Sequence, residues 1–108
     1  MREHLREAIR RKERLAISSI VLYEWLRGPR LAAELSAQEA LFPSDGVLAF
    51  GADEARVAAA LYRDVRRGRG REIDLAIAAT ALVWNATLWT LNVEDFGDVP
   101  GLNVRETA

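Results

Sequence analysis

The longest coherent pattern of apolar and polar positions runs from Arg71 to Phe96. Ile73, Ile77, Thr80, Ala81 and Trp84 recur at helical spacing, and Leu75, Ala78, Ala79 and Leu82 fill the neighbouring face. A helix apolar over so much of its circumference is packed on more than one side. Its small residues, Ala76, Ala78, Ala79 and Ala81, let neighbouring backbones come close. Asn85 suits a turn. Thr87–Leu91 is a short run rich in β-branched and aromatic residues, which predicts a buried strand. Polar groups bracket this unit, with Asp74 in the first helical turn and Thr90, Asn92, Glu94 and Asp95 at the end of the strand.

The rest of the chain alternates in the same way. Residues 2–13 predict a helix with Leu5, Ala8 and Ile9 on one face, and no capping residue precedes it. Leu15–Ser19 predicts a short buried strand and Ile20–Arg27 a helical turn or two. Gly28-Pro29 interrupts, with Pro29 suited to open the next helix. Leu31, Leu35, Ala40 and Leu41 mark that helix, which ends by Pro43. Val47–Phe50 predicts a second strand. Gly51-Ala52-Asp53 predicts a turn and N-cap for a helix through about Arg67, with Val57, Ala60, Leu61 and Val65 as its core stripe. Gly68 and Gly70 mark a loop, Pro100-Gly101 a turn, and Leu102–Arg105 a last strand. Four short strands alternating with helices predict an α/β domain over 1–108, with a parallel sheet flanked by helices.

Composition narrows the class. The 108 residues are 50% hydrophobic and 29% charged, ordinary for a globular protein. No apolar run reaches the roughly 18 residues a spanning helix needs, and the charged N-terminus lacks the apolar core of a signal peptide. There is no cysteine, which removes disulfides, zinc–thiolate sites and thiol nucleophiles and fits a reducing cytoplasm. The single His4 has no second imidazole with which to share a metal, so it reads as a surface residue. The net charge of −1 hides an asymmetry: of the fifteen basic residues only Lys12 is Lys. Arginines gather at 2–14 and again at Arg63, Arg66, Arg67, Arg69 and Arg71. Arginine suits bidentate phosphate contacts, whereas solvated helix faces explain the first cluster equally well, with Glu3, Glu7 and Glu13 alongside. A pI near 5.8 argues against strong non-specific nucleic-acid binding.

Three acidic residues stand where a parallel sheet would collect them. Glu24 follows the first strand, Asp74 opens a helix, and Asp95 follows the Thr87–Leu91 strand. Ligands of open parallel sheets bind outside the carboxyl ends of the strands, so the three are expected on one rim. Clustered carboxylates hold hard cations such as Mg²⁺ or Mn²⁺ through oxygen, and such metals activate water and steady an in-line phosphodiester displacement. Each residue also has a plain structural use: Asp74 complements a helix dipole, Glu24 lies beside Trp25 on an amphipathic surface, and Asp95 caps a turn.

Three stretches of the second half resemble a PIN-domain ribonuclease, specifically a VapC-type toxin of bacterial toxin–antitoxin pairs. They are Arg69-Gly-Arg-Glu-Ile-Asp-Leu-Ala-Ile-Ala-Ala-Thr-Ala81, Thr90-Leu-Asn-Val-Glu-Asp-Phe96 and Val99-Pro-Gly-Leu-Asn-Val-Arg105. Ala16-Ile-Ser-Ser-Ile-Val-Leu-Tyr-Glu-Trp-Leu-Arg-Gly28 resembles the family's second strand and its acidic helix. The resemblance implies a three-layer PIN-like fold and a Mg²⁺- or Mn²⁺-dependent endoribonuclease of the cytoplasm. It further implies an RNA substrate, a cognate antitoxin, a homodimer and no membrane. The family's acidic positions fall on Glu24, Asp74 and Asp95, with Thr90 and Asn92 as supporting polar groups, and Arg67, Arg69 and Arg71 are expected at RNA phosphates.

The family opens with a strand ending in an Asp that binds metal, and this sequence shows no such strand before its first predicted helix. The expectation is therefore a PIN-like domain without the family's first, central strand. Leu15–Ser19 and Thr87–Leu91 would then face each other across a gap or accept a strand from another copy, and cleavage would be impaired. The rival reading is a non-catalytic PIN-fold module that binds antitoxin or dimerises. A flavodoxin-like ligand domain ranks below both, because no phosphate-cradling glycine loop follows a first strand.

Overall fold

The computed structural model describes residues 16–106. In chain order they form α1 (Ser19–Leu26), α2 (Ala32–Leu41), a 3-10 turn at Ser44–Gly46, α3 (Ala52–Asp64), α4 (Glu72–Val83), β1 (Leu88–Thr90), a second 3-10 turn at Val93–Phe96, and β2 (Val104–Glu106). The helix expected over 2–13 lies outside the described residues, as does Leu15.

Helix ends are fixed by short polar contacts, and these move several predicted boundaries. Ser18 Oγ accepts from the Val21 N–H at 3.1 Å, so α1 starts at Ser19. Ser19 Oγ then accepts from the Phe50 N–H at 3.1 Å. Pro29 does not open α2. Arg30 instead lies 4.2 Å from the Trp25 ring centre and donates from Nε to the Trp25 carbonyl at 2.8 Å, which closes the turn. The Leu31 N–H donates to Glu34 Oε1 at 2.8 Å, and α2 begins one residue later. The cap of α3 is Gly51, not Asp53, because the Gly51 N–H donates to the buried Glu54 carboxylate at 2.8 Å. Asp53 pairs in solvent with Arg56. That helix stops at Asp64, short of Arg67. Val65 turns extended, and the chain folds back so tightly that a Cβ on Gly68 would sit 2.6 Å from the Tyr62 carbonyl oxygen.

Helix α4 is the centre of the packing. Of its two apolar faces, the one carrying Leu75, Ala78 and Ala79 is buried, together with Ala76, Thr80 and Ala81. Ile73 and Trp84 remain 45% and 49% exposed. Leu61 of α3, Leu75, Ala78, Ala79, Phe96 and Val99 form one cluster, and Val57, Val65, Leu88, Leu102 and Val104 pack around it. The turn residues Asn85 (φ 52°) and Gly101 (φ 77°) adopt left-handed backbone where predicted.

The parallel sheet is smaller than the four predicted strands. β1 and β2 pair in parallel, with Leu88 opposite Val104 and Thr90 opposite Glu106. The other two segments meet only at a parallel bridge between Ser18 and Leu48. Its two bonds run from the Ser19 N–H to the Leu48 carbonyl and from the Leu48 N–H to the Ile17 carbonyl, both 2.9 Å. The early start of α1 at Ser19 leaves no room for more. Among the described residues no backbone bond joins Ile17–Ser19 to β1. A cavity of about 250 Å³ separates them, walled by Ile17, Leu48, Leu88 and Trp89 and lined by Ile77 and Thr80 of α4.

Leu75 is 1% exposed at the middle of the cluster. Leu75→Ala should lower unfolding stability by about 2–5 kcal/mol, as buried Leu truncations do. Urea denaturation followed by far-UV circular dichroism would measure the shift.

Candidate active site

The start of α4 and the turn that follows β1 are joined through Arg71. Asp74 is half-buried in the first turn of α4, where a carboxylate is favoured by the free N–H groups and the helix dipole. Thr90 is the last residue of β1. Its Oγ1 accepts from the Asn92 N–H at 3.0 Å, and the Asn92 carbonyl accepts from the Asp95 N–H at 3.0 Å. These two bonds turn the chain out of the strand. Phe96 is buried behind the turn, while Asp95 stays exposed.

Arg71 ties the two parts together. It precedes α4, and its guanidinium donates to both carboxylate oxygens of Asp98 at 2.8 Å and to the Asp95 carbonyl at 2.8 Å. A longer bond of 3.4 Å reaches the Arg67 carbonyl. The bond to Asp98 raises the Arg71 pKa further, burial opposes it, and the charges of Asp98, Asp74 and Asp95 add to it. The same hydrogen bond, against a smaller cost of burial, holds the Asp98 carboxyl below the usual carboxylate range. Of the three arginines expected at phosphates, Arg71 is thus engaged within the protein, and Arg67 and Arg69 are exposed. Asp98 was not singled out from the sequence. Its partner lies 27 residues away, and no local motif signals such a contact.

Glu24 lies on α1, half-buried, with its carboxylate 3.9 Å from Arg27. Helix α1 packs against α4, yet no hydrogen bond among the described residues joins Glu24 to Asp74 or Asp95. The carboxylates of Glu24, Asp74 and Asp95, the Thr90 hydroxyl and the Asn92 amide are all hard oxygen donors, the kind Mg²⁺ and Mn²⁺ prefer. Among the described residues, however, no three acidic or imidazole side chains form a group that could hold a metal ion. The donors fit such an ion in kind and fall short in number.

The Arg71–Asp98 pair has a pH signature. Because the folded Asp98 pKa is depressed, its contribution is fully present above the ordinary Asp value of about 3.9. The contribution is lost as pH falls through the lower folded value. The stability difference between the natural chain and Asp98→Asn should be constant from neutral pH to about pH 5 and shrink below about pH 4. Thermal melts across this range would test it; a gap that widens on acidification would contradict it.

A model of the PIN domain matches residues 1–102. Ribonuclease VapC19 of Mycobacterium tuberculosis (strain CDC 1551 / Oshkosh) is 40% identical over 101 residues, which cover 91% of this chain and 79% of that protein. The protein of the same name from strain ATCC 25618 / H37Rv matches to the same extent. The family match spans nearly the whole chain and takes in both α4 and the turn that carries Asp95, so the chain belongs to the PIN-domain family, as a VapC-type member.

Proposed function

We propose that this protein is the toxin of a toxin–antitoxin pair, an endoribonuclease that hydrolyses RNA phosphodiester bonds with the help of Mg²⁺ or Mn²⁺. The observation that carries the reading is that Arg71, three residues before Asp74 at the start of α4, is bonded to the carbonyl of Asp95 in the turn after β1. The 40% identity to a protein named Ribonuclease VapC19 supports it. Glu24, Asp74 and Asp95 would hold the ion. Such an ion supplies charge for the phosphodiester and lowers the pKa of water. Thr90 and Asn92 shape the turn and orient the carboxylate that follows them. Arg67 and Arg69, exposed on the loop before α4, would take the RNA backbone as phosphate ligands.

The antitoxin has a surface to occupy. Helices α1 and α2 hold no buried residue. Between them runs an apolar groove of about 440 Å³, lined by Ile17, Val21, Trp25, Leu41 and Phe42, with Glu34 at its side. Tyr23, Leu26 and Leu31 are exposed on the same two helices and the turn between them, and apolar surface of this kind suits a partner. A second reading, a PIN-fold module that binds antitoxin or dimerises without cleaving, is favoured by the short ligand count. The protein is placed in the cytoplasm on this reading. Among the described residues no helix is long and apolar enough to cross a membrane.

Because the described carboxylates do not close on an ion by themselves, residues 1–108 alone should cleave RNA slowly. Small misplacements of reacting groups cost about 10²-fold. With protein in excess over a labelled RNA and Mn²⁺ present, we expect slow cleavage that Asp74→Asn reduces to background. Fast, many-turnover cleavage by the 108-residue chain would contradict the impairment. Slow cleavage untouched by Asp74→Asn would leave the non-catalytic module as the better reading.

Self-association should also appear. Among the described residues Ile17–Ser18 and β1 each have an edge without a backbone partner, and such edges and the exposed apolar helices favour pairing between copies. Light scattering behind size-exclusion chromatography should give a dimer mass at micromolar concentration, and a dilution-resistant monomer would count against it.

A further inference from the structure

We propose that Arg71 is a positioning residue that sets the spacing of the Asp74 and Asp95 carboxylates, an inference that rests on reading those two residues as site groups. Arg71 lies three residues before Asp74, at the mouth of the helix that carries it. Its guanidinium reaches 24 residues along the chain to the Asp95 carbonyl and 27 to the Asp98 carboxylate, three bonds of 2.8 Å in all. Among the described residues no other side-chain hydrogen bond links the start of α4 to the turn at Val93–Phe96. Phe96 holds that turn from behind by burial, and Arg71 holds it from the front.

The geometry is one that arginine alone supplies. Two parallel N–H groups take the Asp98 carboxylate, and the same plane presents a further N–H to the Asp95 carbonyl. A lysine would keep the charge and lose the fork. Asp98 in turn fixes the guanidinium, so Asp98 acts on the turn only through Arg71. Contact with an RNA phosphate would require Arg71 to leave Asp98, whereas Arg67 and Arg69 need no such release. The loop before it is equally constrained. Gly68 packs against Tyr62, its carbonyl accepts from the Arg71 N–H at 2.9 Å, and Gly70 sits at φ 87°.

The test uses Arg71→Lys, Asp98→Asn and the double variant in the full 108-residue chain, with two readouts. Hydrogen exchange should quicken about 10-fold at residues 93–99 in both single variants, since each breaks charge-assisted bonds between that turn and α4. It should stay unchanged in the interior of α4. Mn²⁺ binding, followed by electron paramagnetic resonance with manganese chloride alone, should weaken several-fold in each. The double variant should be no worse than the poorer single, because the two residues act as one unit. Asp74→Asn serves as the control that loses Mn²⁺ without loosening residues 93–99. Unchanged exchange in both variants overturns the proposal. Faster exchange with unchanged Mn²⁺ affinity reduces Arg71 to a structural tie and overturns its positioning role. Normal exchange with weakened RNA binding in Arg71→Lys makes it a phosphate ligand and overturns the proposal as well. If the natural chain takes up no Mn²⁺, the metal-dependent reading fails on its own account; exchange then still decides whether Arg71 ties the turn to α4, faster exchange supporting the tie and unchanged exchange overturning it.

Discussion

The close packing of α4 through its alanines is the constraint on which the rest depends. Ala78 and Ala79 are fully buried, and Ala76 and Ala81 nearly so. With no side chain beyond Cβ, they allow α3 to lie close along the helix, while Leu88 of β1 and Val104 of β2 reach the same cluster by their side chains. The one polar side chain on that wall, Thr80, is satisfied internally by donating to the Ala76 carbonyl at 2.9 Å. Among the described residues no buried side-chain polar atom lacks a partner, so the helix can be enclosed without the cost of an orphaned group. A larger residue at Ala78 or Ala79 would push apart the two elements that bring Asp74 and Asp95 to one end of the helix.

That end works by charge balance as much as by packing. Arg71 is bonded to the Asp98 carboxylate and the Asp95 carbonyl, and the charges of Asp98, Asp74 and Asp95 all favour its charged form. Solvent screens these charges, because Asp95 and Asp98 are exposed. The arrangement sets the Arg71–Asp98 pair at the edge of the core. It does so without burying a bare charge, whose cost would exceed what a small domain can carry.

The sequence disclosed the places of these residues on their elements to the extent that they are set locally. Asp74 in a first helical turn, Thr90 at a strand end and Asn92 at a bend are each set by neighbours within a few residues, and all three stand where the pattern predicted. The helix expected from Gly51 was also found, but its cap shifted from Asp53 to Gly51 because Glu54 reaches back to the Gly51 N–H, a contact that competes with any cap Asp53 could make. Which face of α4 would be buried was not legible, since a helix apolar on nearly every side carries no directional signal. The Arg71–Asp98 fork escaped for a different reason: sequence patterns encode periodicity, not contacts across 27 residues. The first two strands were overestimated because β-rich composition at Leu15–Ser19 does not reveal that Ser18 caps a helix.

The uneven burial of the two halves bears directly on the third carboxylate. Asp74 and Asp95 ride on the packed half, anchored by Leu75 and Phe96. Glu24 rides on α1, which has no buried residue and belongs to the half that also contains the exposed α2. That half reaches the packed one through the α1–α4 contact and a 3.4 Å bond from the Trp84 indole to the Ala49 carbonyl, and the cavity of about 250 Å³ lies between them. Segments with little buried apolar surface open at lower free energy than the core. Among the described residues, α1 with Glu24 is therefore held by less buried surface than α4 and the Val93–Phe96 turn with Asp74 and Asp95. Whatever fills the cavity or covers α1 and α2 would stiffen α1 first, and so would act on Glu24 before Asp74 or Asp95.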